Sequence, residues 1–434
     1  MPPAGARGRA ADWLPADSMA GLAWILSLFV VFIIAAGNGR RFWWSGLVPS
    51  LVVPPVVLTL LSRGRLDRIR IARGDLVLFA ALGALALVAC FSVIAAPAPL
   101  DTIVPFLGVY IAPLLLFVAF QHIEVDERRL VLAWNVLTLG ALGPLIAGAI
   151  AYYNEWGIPA GLELLYSRYD LTRMQGYMAA TFGNTGNTAA FLALLFPPWL
   201  VLAIRARPLG ASRAFYVVAI VVALVHILIV QSRTLFVTLL VILPVTLLAL
   251  RVRLRALMIP ALLGLGFLVV QLYDVRDQLA SLTVGALEGS NEDRSVPERF
   301  EAMQIGVRLM RDNLLFGIGP GNSASVHPYT SSHQYWVNQG AELGVGGLVA
   351  AVALSMAVFW KFLRSCTRVF DGPPGSWRYI NLVGPAAFML YGCIANMPWS
   401  ANVVDTWAGL FGVMLGLAAA SWAPRQGSVA RALE

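Results

Sequence analysis

One histidine, a few arginines and three closely spaced glycines are the residues of this chain whose types and spacing could do chemistry. His333 lies where a long polar stretch meets an apolar run, between Phe316-Gly-Ile-Gly-Pro-Gly-Asn322 and Glu342-Leu-Gly-Val-Gly-Gly347. A neutral imidazole, with an unperturbed pKa of about 6.5, accepts a proton from a hydroxyl at neutral pH, so His333 is the candidate general base. The competing reading is a hydrogen-bonded loop histidine. Arg233 interrupts the apolar stretch 213–250 at Gln231-Ser-Arg-Thr234. An arginine at a membrane boundary is costly and needs a partner. Either it snorkels and caps two helices, or its fork of donors clamps phosphate oxygens. Arg173 stands ahead of Thr181-Phe-Gly-Asn-Thr-Gly-Asn187, an unwound helix entry that lines a cavity or is only a turn.

Other candidates carry less. His327 reads as an ordinary loop residue, and His226, in mid-span, as a satisfied core histidine. Gly317, Gly319 and Gly321 have the composition of a phosphate-cradling loop but lack its lysine and its strand–turn–helix context, so a tight turn is expected there. Glu342 falls in the first turns of the next span, where it is expected to pair with an outside arginine or cap the helix. No acidic pair has metal-ligand spacing, which makes chemistry without metal or cofactor the default.

These groups need elements to hold them, and composition says which kind. The 434 residues are 59% hydrophobic and only 12% charged, with a mean hydropathy of +0.75. A soluble domain carries roughly 25% charged residues, so this chain belongs to the membrane class and is all-α. Its net charge of +8 comes from basic residues scattered between apolar runs, which does not point to nucleic acid. Lys361 is the only lysine. Cys90, Cys366 and Cys393 have neither metal nor redox spacing, so a disulfide framework or zinc site is not expected. The first apolar run is long and leads into Gly-Asn-Gly-Arg-Arg rather than a cleavage site, so it reads as a span and not a signal peptide.

A span needs about 20 apolar residues. Twelve are expected, at 19–37, 43–62, 75–96, 102–121, 129–152, 185–204, 213–231, 234–250, 255–273, 339–361, 379–397 and 403–423. The stretch 213–250 must be two helices, because a single one would run to about 57 Å. With both termini in the cytoplasm, 21 basic residues lie inside and 10 outside, the arrangement that the positive-inside bias favours. One membrane domain over 1–434 then has two long outside loops, 153–184 and 274–338. Within the second, residues 296–313 place Phe300, Met303, Ile305, Val307, Leu309 and Met310 among charges, an amphipathic helix for the outer membrane surface. There is no internal repeat of the kind transporters show.

Four segments together resemble the O-antigen ligase and O-antigen polymerase superfamily of bacterial inner-membrane glycosyltransferases. They are Arg173 with Phe182-Gly-Asn-Thr-Gly-Asn187; Ser232-Arg233; Arg299 with Asp312-Asn-Leu-Leu-Phe-Gly-Ile-Gly-Pro-Gly-Asn322; and His333 with Glu342-Leu-Gly-Val-Gly-Gly347. The last is the most specific. The resemblance implies a GT-C type helical fold acting on undecaprenyl diphosphate-linked glycan at the periplasmic face, with lipid A-core as acceptor. It implies His333 as base, Arg233 and Arg173 as diphosphate clamp, and Arg299 as helper. Asn187, Ser232, Gly319, Gly321, Tyr335 and Glu342 would support them. The family usually follows this histidine with Asn, where this chain has Gln334. Polymerases carry paired motifs of an arginine and a glycine with ten residues between them; Arg308 and Gly319 fit, whereas Arg173 is answered by Asn184, which leans towards a ligase. A protein-glycosylating relative and, from another class, a lipid or polysaccharide transporter are the alternatives.

Overall fold

The computed structural model describes residues 16–36, 71, 73–122, 127–153, 185–205, 211–230, 232–251, 295–326, 332, 334–371, 373–394 and 405–420. Among these residues the regular structure is wholly helical. The order is α1 (Ala16–Ala36), α2 (Leu76–Ala95), α3 (Pro99–Pro105), a π-helical turn (Phe106–Ile111), α4 (Ala112–His122), α5 (Glu127–Tyr153) and α6 (Thr185–Arg205). Then come α7 (Ala211–Val230), α8 (Arg233–Ala249), α9 (Ser295–Asp312), α10 (Ser323–Val326), α11 (Tyr335–Cys366), α12 (Pro373–Ile394) and α13 (Asp405–Ala420).

Among the described residues five stretches are long and apolar enough to cross a membrane: Leu76–Ala95, Pro99–Gln121, Glu127–Ala149, Gly186–Arg205 and Tyr335–Cys366. Shorter apolar helices accompany them. The outward face is apolar as well, with Leu100, Ile94 and Leu248 largely exposed. Only lipid makes such a surface stable, and the chain is a polytopic membrane protein. The expected spans at 43–62 and 255–273 lie outside the described residues; the others coincide with described helices. The stretch 213–250 divides as expected, at Ser232, whose hydroxyl caps α8 by accepting from the Leu235 amide at 3.4 Å.

The central helices α6 and α12 pack on each other, with α8 against both. Their contact is close because Gly384 has no side chain: a Cβ there would strike the Leu194 carbonyl. Gly412 and Gly416, one turn apart on α13, likewise admit the backbone of α4 at Pro113 and Leu116. Polar groups buried in this interior find one another. Trp134 donates to Asn381 at 2.8 Å, Trp199 to Thr138 at 2.9 Å, and Tyr216 to Asn135 at 2.8 Å. Residues 134–138 of α5 thus tie it to α12, α6 and α7.

The expected span 339–361 falls within the long α11, which has a feature the sequence reading did not include. At Gly344 (φ 74, ψ −168) the helix breaks into limbs 335–343 and 345–366. In a continuous helix Trp336 and Ser355 would stand about 28 Å apart. Instead the Trp336 indole donates to the Ser355 hydroxyl at 3.2 Å. The short limb is therefore folded back along the long one. Gly347 permits the approach, since a Cβ there would lie 2.7 Å from the Gln339 carbonyl.

Candidate functional site

A broken helix strands backbone donors and acceptors, and each needs another partner. Residues 314–319, the start of the glycine-rich motif, supply them by passing through the crook of α11. The Val345 amide donates to the Leu314 carbonyl at 2.8 Å. The Ile318 amide donates to Ala341 at 3.0 Å and the Gly319 amide to Glu342 at 2.9 Å. Ser92, near the end of α2, adds a hydroxyl to the same Glu342 carbonyl at 2.8 Å. Gly317, Gly319, Gly321 and Gly344 all have positive φ. Two need it most: a Cβ on Gly317 would enter the Glu342 backbone, and one on Gly344 would lie 2.6 Å from the Leu314 and Leu315 carbonyls. The expected tight turn is thus a clasp, and its amides at 318 and 319 serve the crook rather than a phosphate.

The Glu342 side chain is fully buried beneath this clasp. Ser323, the first residue of α10, donates its hydroxyl to one carboxylate oxygen, and Tyr110 reaches the other at 3.4 Å. The Tyr110 hydroxyl also donates to Gln339 at 3.1 Å. Among the described residues no arginine pairs with Glu342; most of the outside arginines expected as its possible partners have side chains outside the described residues. Tyr110 is brought in by the π-helical turn. Pro113 has no N–H for the Val109 carbonyl, which favours the shift in register.

At the other end of the short limb stands the segment of the candidate base. Gln334 is the N-cap of α11, its amide oxygen accepting from Val337 at 2.7 Å. The longer amide keeps a capping role, a physical reason for Gln334 to replace Asn. The Ser332 amide donates to Asn338 at 3.4 Å. Helix α9 covers this corner: Gly306 lets Ser332 and Val337 approach, and Met310 lies against Gly340. So α9 docks on the short limb through Ala302 and Gly306, leaving Phe300 and Val307 outward. His333 itself lies outside the described residues, as do Arg173 and His327.

The helix directions bring other candidates to the same side. Arg205, ending α6, donates to the Val369 carbonyl at 3.4 Å, and Arg251, just after α8, lies 4.8 Å from the Phe370 ring centroid. Both helices therefore end at the turn that follows α11, and their starts lie at the opposite side. There Tyr391 of α12 donates to the Gly186 carbonyl at 3.1 Å, in the first turn of α6. Two residues away, Met389 contacts Ser355 at 3.7 Å, the partner of Trp336. The starts of α6 and of the short limb thus converge on the same stretch of α12, and α8 begins at a similar height. Helix starts carry partial positive charge and unbonded amides, the usual setting for an anion. Buried Asn187 and half-buried Ser232 stand at two of them, and Tyr335, fully enclosed, begins the third. Arg233 is the first residue of α8, and Arg299 lies in the first turns of α9; their side chains are outside the described residues.

Sequence reasoning missed Tyr110, Ser92, Ser323 and Gln339, whose partnerships cross 19 to 250 positions of sequence. It also missed a second buried cluster, in which Asp75 takes Lys361 at 2.7 Å and Arg378 at 2.9 Å on one oxygen. Lys361 as the sole lysine was the available signal. His226 is buried as expected, one ring nitrogen 2.8 Å from the Val222 carbonyl.

Residues 218–352 match the family model described as O-antigen ligase, Wzy_C. No curated protein matches the chain. The matched segment runs from α7 through α8 and α9 to the crook of α11, and so takes in Arg233, Arg299, the glycine clasp and the His333 segment. This match, over the segment that carries most of the candidate motifs, supports the O-antigen ligase superfamily.

Proposed function

We propose that this protein is an O-antigen ligase. It transfers a finished glycan from undecaprenyl diphosphate to a hydroxyl of lipid A-core, on the periplasmic face of the bacterial inner membrane and within a GT-C type fold. The observation that carries the reading is the family match over 218–352, the segment that holds Arg233, Arg299 and His333. The convergence of helix starts beside the folded-back limb supports it, because a diphosphate needs positive potential at a site screened from water.

His333 accepts the proton of the acceptor hydroxyl as its oxygen bonds to the anomeric carbon. The bond from that carbon to the diphosphate oxygen breaks, and the electron pair leaves with undecaprenyl diphosphate, so the anomeric configuration inverts. Arg233 and Arg173 hold the diphosphate and stabilise the charge it gains, with Arg299 assisting. Docking of α9 on the short limb keeps the His333 segment in place for the acceptor. Both termini lie in the cytoplasm.

Purified protein given undecaprenyl diphosphate-linked glycan and lipid A-core tests this directly. Wild type transfers a single glycan to lipid A-core, and His333→Ala abolishes transfer while the protein stays folded. Ladders of longer carrier-linked glycan, formed without lipid A-core, would establish a polymerase instead. Full activity in His333→Ala would remove that residue from the mechanism.

A further inference from the structure

The end of the bundle remote from the Gly344 crook gathers a cluster of basic side chains. Lys361 and Arg364 lie one turn apart in the last turns of α11, and Arg368 follows in the turn after it. Arg378 joins them through Asp75, while Arg205 and Arg251 reach the turn at Val369 and Phe370. Among the described residues the acidic side chains there are Asp75, Asp371 in the turn, and Glu127 within electrostatic reach of Arg205.

Two features separate this cluster from an ordinary basic collar. Arg251 holds φ 51 and is the non-glycine residue with positive φ among those described, a backbone state that costs of order 1 kcal/mol. That conformation accompanies a guanidinium facing the turn and stacked on Phe370. The second feature is an apolar track leading to the charges. Met356, Trp360 and Leu363 form one exposed stripe of α11, at 64%, 64% and 56% exposure, and exposed Arg364 extends it by a turn from Trp360. A free phosphate would have no use for that track; a diacyl lipid would.

We propose that this end of the bundle binds an anionic phospholipid. Its phosphate lies against Arg364, Arg368 and Arg251, and its acyl chains run along Met356, Trp360 and Leu363. Under the orientation proposed above this is the inner leaflet, but the binding does not depend on the glycan chemistry.

Native mass spectrometry of the full chain released from micelles tests the proposal, with phosphatidylglycerol or phosphatidylcholine added at equal concentration. Wild type retains phosphatidylglycerol at least about tenfold more tightly than phosphatidylcholine. The double variant Arg364→Gln/Arg368→Gln loses that preference, whereas Arg308→Gln/Arg311→Gln, on α9 at the other end, keeps it. Should the first variant fail to elute as a single species, Arg251→Gln is measured in its place and shows the same loss. Equal retention of the two lipids, or a preference unchanged in these variants, overturns the proposal. Displacement of the bound lipid by millimolar inorganic phosphate also overturns it, because the site would then read phosphate alone.

Discussion

Substituting Gly344 by alanine tests the crook at its narrowest point. The residue sits at φ 74 and ψ −168, a region essentially reserved for glycine, and an L side chain there costs of order 1–3 kcal/mol. Its Cβ would also lie 2.6 Å from the Leu314 and Leu315 carbonyls, so residues 314–319 must withdraw. Withdrawal breaks the Val345–Leu314 hydrogen bond and strains those of Ile318 and Gly319. At a net contribution of about 1 kcal/mol each, the clasp loses about 3–5 kcal/mol of local stability. Hydrogen–deuterium exchange reads this at the amides of Ile318, Gly319 and Val345. They should exchange at least about 100-fold faster, given that 1.4 kcal/mol is tenfold in an equilibrium. Gly346→Ala is the matched control: its Cβ meets only Val88 methyls, at 3.3 and 3.4 Å, and exchange should stay within about threefold of wild type. If Gly344→Ala exchanged like wild type, the clasp would not be what closes the broken helix, and the account of the glycine motif would fail with it.

The folded-back limb is testable by cross-linking. In a chain whose Cys90, Cys366 and Cys393 are serine, Trp336→Cys and Ser355→Cys should be joined by a bis-maleimide of about 10 Å span; a straight helix holds them about 28 Å apart and prevents it. Asp75→Asn leaves Lys361 and Arg378 buried without their shared carboxylate and should cost about 3 kcal/mol or more, seen as a lower thermal midpoint in detergent. Lys361→Met should cost clearly less, because Arg378 still holds Asp75. Tyr110→Phe removes one hydroxyl from two buried acceptors and should cost about 1–2 kcal/mol by the same measurement. Gln334→Ala, losing the cap of α11, should cost about 1 kcal/mol, and Gln334→Asn should retain most of it.

The helical plan was legible because a membrane helix needs only an apolar run of sufficient length, and such runs are read residue by residue. The division at Ser232 was legible for the same reason. The fold-back of α11 was not, since residues 335–366 satisfy the length and hydropathy of one span whichever way the chain turns. What decides the matter is that Gly344 can take a positive φ and that residues 314–319 stand ready to satisfy the freed amides and carbonyls. That is a partnership across some 25 positions, which no local pattern encodes. Glu342 shows the same gap. Its type and place suggested an arginine partner or a cap; among the described residues its carboxylate is met by neutral hydroxyls from Ser323 and Tyr110, which no local pattern announces. The basic residues of the opposite end were visible as a bias, but the focus on Asp75 was not, because it joins α11 and α12 to a residue 286 positions before Lys361.

The two ends of α11 therefore face different physical problems, and the helix is built differently at each. At the Asp75 end a charge triad buries two cations on one carboxylate and ties three helices together. Such an arrangement is expensive to disturb, and it suits a fixed scaffold. At the Gly344 end the backbone is deliberately interrupted, and nearly every freed group is met by the backbone of another segment rather than by its own helix. Unwound chain is tolerated at membrane depth only where protein surrounds it or where it lines a polar space. Here the surrounding protein is α2, α9 and the glycine clasp, and the folded-back limb delivers Gln334 and Tyr335 to the start of α6. A straight helix would carry the His333 segment well outside the bundle, away from Asn187. Under the proposed mechanism, the break in α11 is what would let the His333 segment and the helix starts serve one reaction, and the Gly344→Ala variant should then lose transfer activity along with its clasp.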